Sequence, residues 1–426
     1  MQPVYIVDGA RTPLLRAEGK PGPFAALDLA TYASQGVLKR LPIQATDIDE
    51  VILGCIVPSH DEANIGRLLA LRVGCGDTVP GWTVQRNCGS GMQAIDCAYK
   101  DILLGRADLI LTGGTEAMSR APLEFNGSAV DWFSEMARNR SFTEKLRTLL
   151  KWRPTMLSPV ISLLHGLRDP IIQLGMGETA EILAYEFNLS REQLDAYALR
   201  SQQRLARAFD NHYFQEELIP IYDHEGNVYK IDTGLRRDTS PEKLAKLKPV
   251  FDKKFGKVTA GNSSQVTDGA AVLILASEKA VKKFNLPTLG KIVDVNWGAL
   301  SPRTMGLGPV FASTPLLLKH NLTFADIDYW EINEAFSAQV LADIAAWESP
   351  QFCQHFFNLD HSFGTLDQAK LNIDGGAIAM GHPVGASGAR IVLHALNVLK
   401  RENKQRAMAA ICIGGGQGGA MLLERE

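Results

Sequence analysis

At residues 83–92 the chain reads TVQRNCGSGM, and the predicted fold is centred on this stretch. The apolar residues before it are typical of a buried strand, and the apolar residues after it recur with helical spacing. Cys88 therefore lies where a strand turns into the N-terminus of a helix. Gly89 and Gly91 allow the backbone to bend sharply there and leave space for a substrate.

This position favours a nucleophilic role for Cys88, and the alternative is a buried cysteine that packs as a small apolar side chain. A helix N-terminus stabilises a thiolate by ~0.3–1 kcal/mol, which corresponds to less than one pKa unit. A thiol with a pKa of ~8.5 therefore stays mostly protonated at neutral pH. A catalytic Cys88 requires a base from another part of the chain.

The composition limits the class of protein. The 426 residues suffice for two or three domains with a large core, and the net charge of −3 offers no basic excess for nucleic acid. The six cysteines include no CxxC pair, which is typical of a reducing compartment. The N-terminus has no pattern of a secretory signal, and no apolar run reaches the ~18 residues of a membrane span. We therefore expect a cytoplasmic protein.

Predicted strands and helices alternate at both ends of the chain, which indicates an α/β layer fold. Residues 122–249 between them carry charges, prolines and little strand pattern, so we interpret them as an inserted, largely helical region. One α/β half is expected from residues 1–121 with 250–277, and a second from residues 278–426.

Within the inserted region, residues 178–209 are predicted to be helical, with Ser190 as the N-cap of the part from residue 191. Outside it, strands are predicted at 107–112, ending before Gly113 and Gly114, and at 258–259.

The second half repeats short motifs of the first half in the same order. CGSG at 88–91 recurs as GASG at 385–388, and LTGG at 111–114 recurs as CIGG at 412–415. Chance similarity of short motifs is one explanation. We favour a duplicated fold in which equivalent loops meet at a shared cleft.

Three C-terminal segments place polar groups at the ends of predicted strands. They are EINEAF at 331–336, GHPVGASG at 381–388 and CIGGGQG at 412–418. His382, between a glycine and a proline, would supply the base that Cys88 requires, and the alternative is a structural histidine. Cys412 ends a buried strand, where a core thiol is the alternative, and Gly414 would present its backbone N–H to a developing negative charge.

Two other kinds of site are not supported by the spacing. The glycines at 414–419 match GxGxxG, but only seven residues follow Gly419, too few for a dinucleotide-binding unit. The nine histidines form no HxxxH or HExxH pair, and no Cys/His cluster has zinc spacing. We expect neither a catalytic metal nor a resident cofactor.

Five segments in order resemble the thiolases, the coenzyme A-dependent acyltransferases that make or cleave 3-ketoacyl-CoA. They are NCGSG at 87–91, GNSS at 261–264 with DGA at 268–270, NEAF at 333–336, GHP at 381–383 and CIGGG at 412–416. The resemblance covers nearly the whole chain. It implies a duplicated five-layer αβαβα fold with an inserted loop domain.

The resemblance implies a role for each catalytic residue. Cys88 attacks a thioester carbonyl and becomes acylated, and His382 takes its proton and helps to hold the thioester oxygen of the second substrate. Asn333 positions a water in that oxyanion site. Cys412 is the acid/base that exchanges a proton with the methyl group of acetyl-CoA. The backbone N–H groups of Cys88 and Gly414 form the other oxyanion site.

By the same resemblance, coenzyme A is a substrate that lies over the inserted region. Ser264 bonds the pantetheine arm, Phe251 packs near it and Met176 lines the cleft. Further basic residues are candidates for the phosphates of coenzyme A, with a solvated charged face as the alternative. They are Arg236, Arg237, Lys243 and Lys246.

Two features differ from small thiolases. Gly175 stands where many thiolases that handle short chains have a histidine. Residues 131–169 are longer, carry seven Lys/Arg against four Asp/Glu, and are similar to the thiolase subunits of fatty-acid β-oxidation complexes. This segment predicts contact with a partner subunit or an anionic membrane surface, and a solvated lid is the alternative.

We therefore expect a degradative 3-ketoacyl-CoA thiolase of fatty-acid β-oxidation that accepts medium or long chains and acts on CoA thioesters. An acetoacetyl-CoA thiolase is the first alternative. A decarboxylating ketoacyl synthase pairs its cysteine with two histidines, whereas Asn333 and Cys412 fill those places here. The remaining alternative is a CoA- or lipid-binding relative without catalysis. The family resemblance implies a homodimer or tetramer, and no nucleic acid partner is expected.

Overall fold

The structure is a computed structural model that describes residues 2–425. Fourteen strands lie within these residues: β1 (Val4–Arg11), β2 (Leu15–Arg16), β3 (Glu50–Gly54), β4 (Gly81–Val84), β5 (Leu109–Ala117), β6 (Leu123–Phe125), β7 (Pro159–Ile161), β8 (Ile221–Tyr222), β9 (Val228–Tyr229), β10 (Thr267–Ser277), β11 (Gly290–Ala299), β12 (Tyr329–Ile332), β13 (Arg406–Ile413) and β14 (Gln417–Glu424).

Fifteen α-helices lie in the same described part of the chain: α1 (Ala26–Leu38), α2 (Ile65–Arg72), α3 (Ser90–Leu103), α4 (Gly127–Arg138), α5 (Phe142–Leu150), α6 (Ser162–Gly166), α7 (Met176–Glu186), α8 (Arg191–Asp210), α9 (Pro241–Ala245), α10 (Glu278–Phe284), α11 (Gly308–Lys319), α12 (Ser337–Glu348), α13 (Pro350–Phe357), α14 (Ala377–Met380) and α15 (Val384–Arg401). The inserted region, residues 122–249, contains α4 to α9 and two small two-stranded sheets, β6–β7 and β8–β9.

The main sheet has two halves with the same topology. Its order is β12-β13-β14-β11-β1-β10-β5-β3-β4, with β2 added to β10. From the centre of the sheet outward, the strand order β11-β14-β13-β12 in one half matches the order β1-β10-β5-β3 in the other. Within residues 2–425, the two halves of the sheet are hydrogen-bonded to each other only through a short β1–β11 pairing, in which Tyr5 lies opposite Lys291 and Ile6 opposite Gly290.

Each half of the sheet separates an outer core from a shared inner core. Along β10, Val272 and Ile274 belong to the outer core under α1, whereas Leu273 and Leu275 belong to the inner core. Helices α3 and α15 fill the inner core, and α15 packs on strands of both halves. With α1 and α2 outside one half and α11 outside the other, the chain forms five layers. The α/β class and the αβαβα arrangement are confirmed.

Glycines allow α3, α15 and β5 to approach closely. A Cβ atom on Gly114 of β5 would lie 2.0 Å from the carbonyl oxygen of Gly385, and one on Gly91 of α3 would lie 2.7 Å from that same oxygen. Backbone packs directly on backbone here, because no side chain fits. The N-termini of α3 and α15 are thereby brought together.

Three element boundaries differ from the prediction. Strand β5 runs through Gly113 and Gly114 to Ala117, because these glycines pair with β10 in register. The helical stretch expected from 178 to 209 is two helices, and Ser190 caps the second by accepting the N–H of Gln193. The strand expected at 258–259 is only an isolated bridge, since the N–H of Val258 donates to the carboxylate of Glu181.

No helix among residues 2–425 combines the length and apolarity required to cross a bilayer.

A buried charge network ties the inserted region to the layers. Arg11 donates to Glu217 at 2.7 Å and to Asp232 at 2.8 Å. His394 of α15 bonds Glu217 at 3.0 Å and faces Asp374 at 3.3 Å. Burial alone lowers the pKa of His394, but these carboxylates outweigh it and raise the pKa to about 10. His394 is therefore a buried cation at neutral pH.

The raised pKa of His394 predicts a pH-dependent stability. Its contribution is fully present below the unfolded pKa of ~6.5 and is lost as pH rises through about 10. His394→Gln removes one of the two cations beside Glu217 and beside Asp374, which keep Arg11 and Arg401. We therefore expect the free energy of unfolding to fall by ~1.5–3 kcal/mol at pH 7, the usual worth of a hydrogen bond to a charged group. Urea unfolding at several pH values between 6 and 10 measures this.

The matched control is His361→Gln, because His361 is exposed beside Asp360. The free energy of unfolding of the control and of the unchanged protein should depend on pH in the same way. The lower value for His394→Gln should approach theirs near pH 10. Parallel curves for all three proteins across this range would contradict the assignment of charge to His394.

Candidate active site

Most of the residues selected from the sequence line one cleft of about 460 Å³. These lining residues are Cys88, Met176, Phe251, Ser264, His382 and Cys412. Asn333 adjoins the cleft through His382, and Gly414 adjoins it through Cys88. The two halves of the chain therefore meet at this cleft.

The loop between β4 and α3 holds Cys88 at the cleft. Asn87 adopts a left-handed φ of 42°, which asparagine tolerates, and its Nδ2 donates to the carbonyl oxygen of Gly414 at 2.8 Å. This bond fastens the Cys88 loop to the loop after β13. The backbone N–H groups of Gly414 and of Cys88 itself interact with the sulfur of Cys88.

Burial raises the pKa of the Cys88 thiol, and the two N–H groups oppose this effect only in part. The negative charge of the neighbouring Glu116 raises the pKa further. The resting residue is therefore a thiol, as the small helix-end contribution predicts. Its use as a nucleophile requires a proton acceptor in the cleft.

His382 lies directly before α15 and meets that requirement. Ser387 Oγ lies 2.6 Å from His382 Nδ1 and donates its own proton to the carbonyl oxygen of Pro383 at 3.0 Å. Ser387 must then accept a hydrogen from Nδ1, which leaves the lone pair on Nε2. Burial and the charge of Arg390 lower the pKa of His382 to about 3. The imidazole is neutral at pH 7 and free to accept a proton.

Parallel strands bring Asn333 and Cys412 to the same edge of the sheet. Asn333 follows β12 and Cys412 lies near the end of β13, which pairs with β12 in parallel. Asn333 Nδ2 lies 3.4 Å from His382 Nε2. An amide and an imidazole that converge in this way can bind the oxygen of a substrate once the imidazole is protonated.

Burial raises the pKa of Cys412 well above its usual value, and a thiolate at Cys88 would raise it further. The two thiols are therefore neighbours, and both line the cleft. A thiol with so high a pKa gives up its proton only to a strong base such as a carbanion, and its thiolate is itself a strong base. Cys412 suits proton exchange at carbon.

Glu116 is a residue of this site that the sequence analysis missed. Its carboxyl group accepts the N–H groups of Ile56, Val57 and Gly385, each at 3.0 Å. It thereby fixes the first turn of α15, which follows His382. Burial raises the pKa of Glu116 to about 7, against the effect of these bonds. A charged residue inside a fully buried strand was the available signal.

The expected coenzyme A contacts divide between two places. Phe251 packs edge-on to Phe336, with ring centroids 6.2 Å apart, and the N–H of Ser264 donates to the carbonyl oxygen of Ala335. Both residues are therefore fastened to the segment that carries Asn333. Arg236 and Arg237 instead line a separate groove of about 340 Å³ beside α8.

Two of the four basic side chains proposed for the phosphates form ion pairs of their own. Arg237 forms an exposed ion pair with Asp210 at 2.8 Å, and Lys243 pairs with Asp238. The structure does not bring them to the lining of the cleft. Within residues 2–425, no group of three or more His, Cys, Asp or Glu side chains is arranged to hold a metal ion.

Comparison with known proteins agrees with this geometry. Residues 4–279 match the model of the thiolase N-terminal domain, and residues 286–425 match that of the thiolase C-terminal domain. The chain is 40% identical to the beta-ketoadipyl-CoA thiolase of Pseudomonas knackmussii, over 99% of each chain. It is 39% identical to the human mitochondrial 3-ketoacyl-CoA thiolase, over 99% of this chain and 98% of that one.

A solved structure extends the similarity to the fold. The crystal structure of human mitochondrial 3-ketoacyl-CoA thiolase superposes with a TM-score of 0.85 at 37% identity, covering 100% of this chain and 99% of that one. The resemblance inferred from the five sequence segments is therefore confirmed. The chain belongs to the thiolase family of acyltransferases.

Proposed function

We propose that this thiolase is a 3-ketoacyl-CoA thiolase of fatty-acid β-oxidation. In this reaction CoA cleaves 3-ketoacyl-CoA into acetyl-CoA and an acyl-CoA that is two carbons shorter. One observation carries the proposal: the cleft that holds Cys88, His382 and Cys412 has mainly apolar walls, which suit an alkyl chain. These walls include Met118, Leu164, Leu167, Val266, Met305 and Val384.

The first half of the proposed reaction breaks the carbon–carbon bond. Cys88 passes its proton to His382 Nε2, and its sulfur attacks the 3-keto carbon. The bond between C2 and C3 then breaks, its electron pair forms the enolate of acetyl-CoA, and Cys412 donates the proton that completes the methyl group. Protonated His382 and a water positioned by Asn333 hold the enolate oxygen.

The second half transfers the acyl group to CoA. The thiol of CoA gives its proton to the Cys412 thiolate, and the resulting CoA thiolate attacks the acyl carbon on Cys88. The Cys88 sulfur leaves and recovers its proton from His382. The N–H groups of Cys88 and Gly414 hold the oxygen of the tetrahedral intermediate, and one such donor is worth ~2.7–4 kcal/mol.

The two cysteines should be separable by mutation. We expect Cys88→Ala to abolish acylation by acyl-CoA, measured as the mass added to the intact protein. Cys412→Ala should leave acylation of Cys88 measurable while the thiolysis rate falls by ~10²–10⁴, the usual cost of losing a general acid/base. Cys97→Ala is the control, because Cys97 is half-buried on α3 outside the cleft lining. If acylation vanished equally in Cys412→Ala, the two roles would be wrong.

A second candidate function is cleavage of 3-oxoadipyl-CoA, whose acyl chain ends in a carboxylate. The similarity to the beta-ketoadipyl-CoA thiolase of Pseudomonas knackmussii supports it. The cleft also includes Arg168, whose guanidinium donates through Nε and Nη2 to the carbonyl oxygen of Gln173. Its remaining donors suit a terminal carboxylate.

A substrate series distinguishes these candidates. We expect kcat/KM to rise along 3-ketoacyl-CoA substrates from C4 to C16, because each buried CH₂ adds ~0.8 kcal/mol, a factor of ~4, until the cleft is filled. Arg168→Leu should leave that series unchanged. A preference for 3-oxoadipyl-CoA that falls by ~10-fold or more in Arg168→Leu would establish the second candidate. A sharp optimum at C4 would instead favour an acetoacetyl-CoA thiolase.

We also propose a homodimer in the cytoplasm. Strand β4 is an edge of the main sheet and, within the described residues, pairs only with β3. An open edge strand is a site for pairing with a second chain. Light scattering should therefore give twice the chain mass of 46.5 kDa, and a monomer would contradict this proposal. A tetramer and a partner subunit of a β-oxidation complex stay predictions.

A further inference from the structure

Helix α5 turns its apolar side away from the protein. Phe142, Leu146, Leu149 and Leu150 follow the i, i+4, i+7, i+8 spacing of one helix face, and their exposed fractions are 80%, 46%, 53% and 78%. Thr148 is only 1% exposed. A surface helix of a globular domain normally buries its apolar face. This face of α5 stays open to solvent in the part of the chain that the structure describes.

The inward side of α5 is held by polar contacts. Trp132 of α4 donates its indole N–H to the carbonyl oxygen of Thr148 at 2.7 Å, and Asn139 Nδ2 donates to the Thr148 hydroxyl at 2.7 Å. Ser141 caps the first turn by accepting the N–H of Glu144. These bonds fix the rotation of α5 about its axis, so specific contacts hold its apolar face outward.

The apolar surface extends beyond α5. Of the 25 large apolar side chains that are exposed in the described residues, 13 lie within residues 123–171. The neighbouring Phe125 and Phe133 pack on each other, with ring centroids 5.2 Å apart, and each remains about half exposed. Such a concentration marks an interaction surface rather than scattered exposure. We call residues 123–171 the apolar patch.

The charge of the patch indicates its occupant. Residues 131–169 carry seven Lys/Arg against four Asp/Glu, although the whole chain has a net charge of −3. Lys145 and Arg147 lie on α5 itself, and Lys151 and Arg153 follow it. Protein–protein interfaces are depleted in lysine, whereas apolar and aromatic residues flanked by Lys/Arg are typical of helices that lie in an anionic lipid surface.

The patch is continuous with the active-site cleft. Three residues of the apolar patch also line the cleft. They are Leu164 of α6 and the two residues that follow this helix, Leu167 and Arg168. A lipid surface against the patch would therefore lie beside the opening through which an acyl chain reaches Cys88.

We propose that the apolar patch, with α5 at its centre, seats in the headgroup region of an anionic bilayer. The apolar face of α5 contacts the acyl chains, and the surrounding Lys/Arg side chains contact the lipid phosphates and carboxylates. The proposal concerns the surface alone and does not depend on the chain length of the substrate.

Co-sedimentation with vesicles tests it. The probes are vesicles of phosphatidylcholine alone and of phosphatidylcholine with about 30% phosphatidylserine. The full chain should pellet with the anionic vesicles, and the pelleted fraction should fall when the ionic strength rises from about 0.1 M to about 0.5 M. Phe142→Ser/Leu150→Ser and, separately, Lys145→Gln/Arg147→Gln should each weaken binding by ~10-fold or more.

Matched controls alter similar side chains elsewhere. Leu104→Ser/Ile231→Ser changes two apolar positions that are 65% and 55% exposed outside the patch, and Lys279→Gln/Lys282→Gln removes two exposed lysines around α10. Both controls should pellet like the unchanged protein. Thiolysis of a short, soluble 3-ketoacyl-CoA checks that every variant is folded, and it tests the proposed function separately from lipid binding.

Two results would overturn the inference. The first is equal pelleting of the unchanged protein and Phe142→Ser/Leu150→Ser, or no pelleting with anionic vesicles. The second is a lower oligomeric mass of Phe142→Ser/Leu150→Ser in light scattering without lipid, because the patch would then bind another copy of the chain.

Discussion

The carbonyl oxygen of Gly385 is in contact with backbone on two sides, and the site depends on this contact. Gly91 of α3 and Gly114 of β5 leave no room there for a Cβ atom. The contact places the start of the helix after Cys88 against the start of the helix after His382. Two segments almost three hundred residues apart thus become neighbours without a bond between their catalytic side chains. Glu116 completes the arrangement by accepting the N–H of Gly385.

Burial, rather than any single charge, sets the protonation of the cleft. It raises the pKa of both Cys88 and Cys412 and lowers the pKa of His382, so all three groups rest in their neutral forms. Neutral groups at the reacting centre can accept a substrate without first losing strongly hydrated ions. The charges then arise only as the reaction proceeds, close to the amide and N–H groups that stabilise them.

The sequence was sufficient for features that depend on local pattern. The turn at Cys88, the α/β alternation and the duplication all follow from short-range spacing, as does the cap at Ser190. The role of Glu116 was not predictable, because its three donors come from two distant segments, the loop after β3 and the first turn of α15. The end of β5 was misplaced because pairing with β10 overrides the usual effect of glycine in a strand.

The residues proposed to bind the phosphates of coenzyme A also show that long-range contacts are not predictable from local sequence. Arg236 and Arg237 were selected by charge alone, and charge does not reveal which partner is nearest. In the structure Arg237 pairs with Asp210, which lies far from it in sequence. Asn333 and His382, each placed by a motif, lie 3.4 Å apart beside the cleft, whereas Arg236 and Arg237, proposed from composition alone, line a separate groove.

The position of α15 has a consequence for biosynthesis. All its residues from Val384 to Leu399 are buried, and they complete the inner core for strands of both halves. The first half leaves the ribosome long before this helix is made, with the inner face of β10 and β5 still uncovered. A nascent chain that stops before residue 384 therefore lacks the helix that covers the inner face of its N-terminal half.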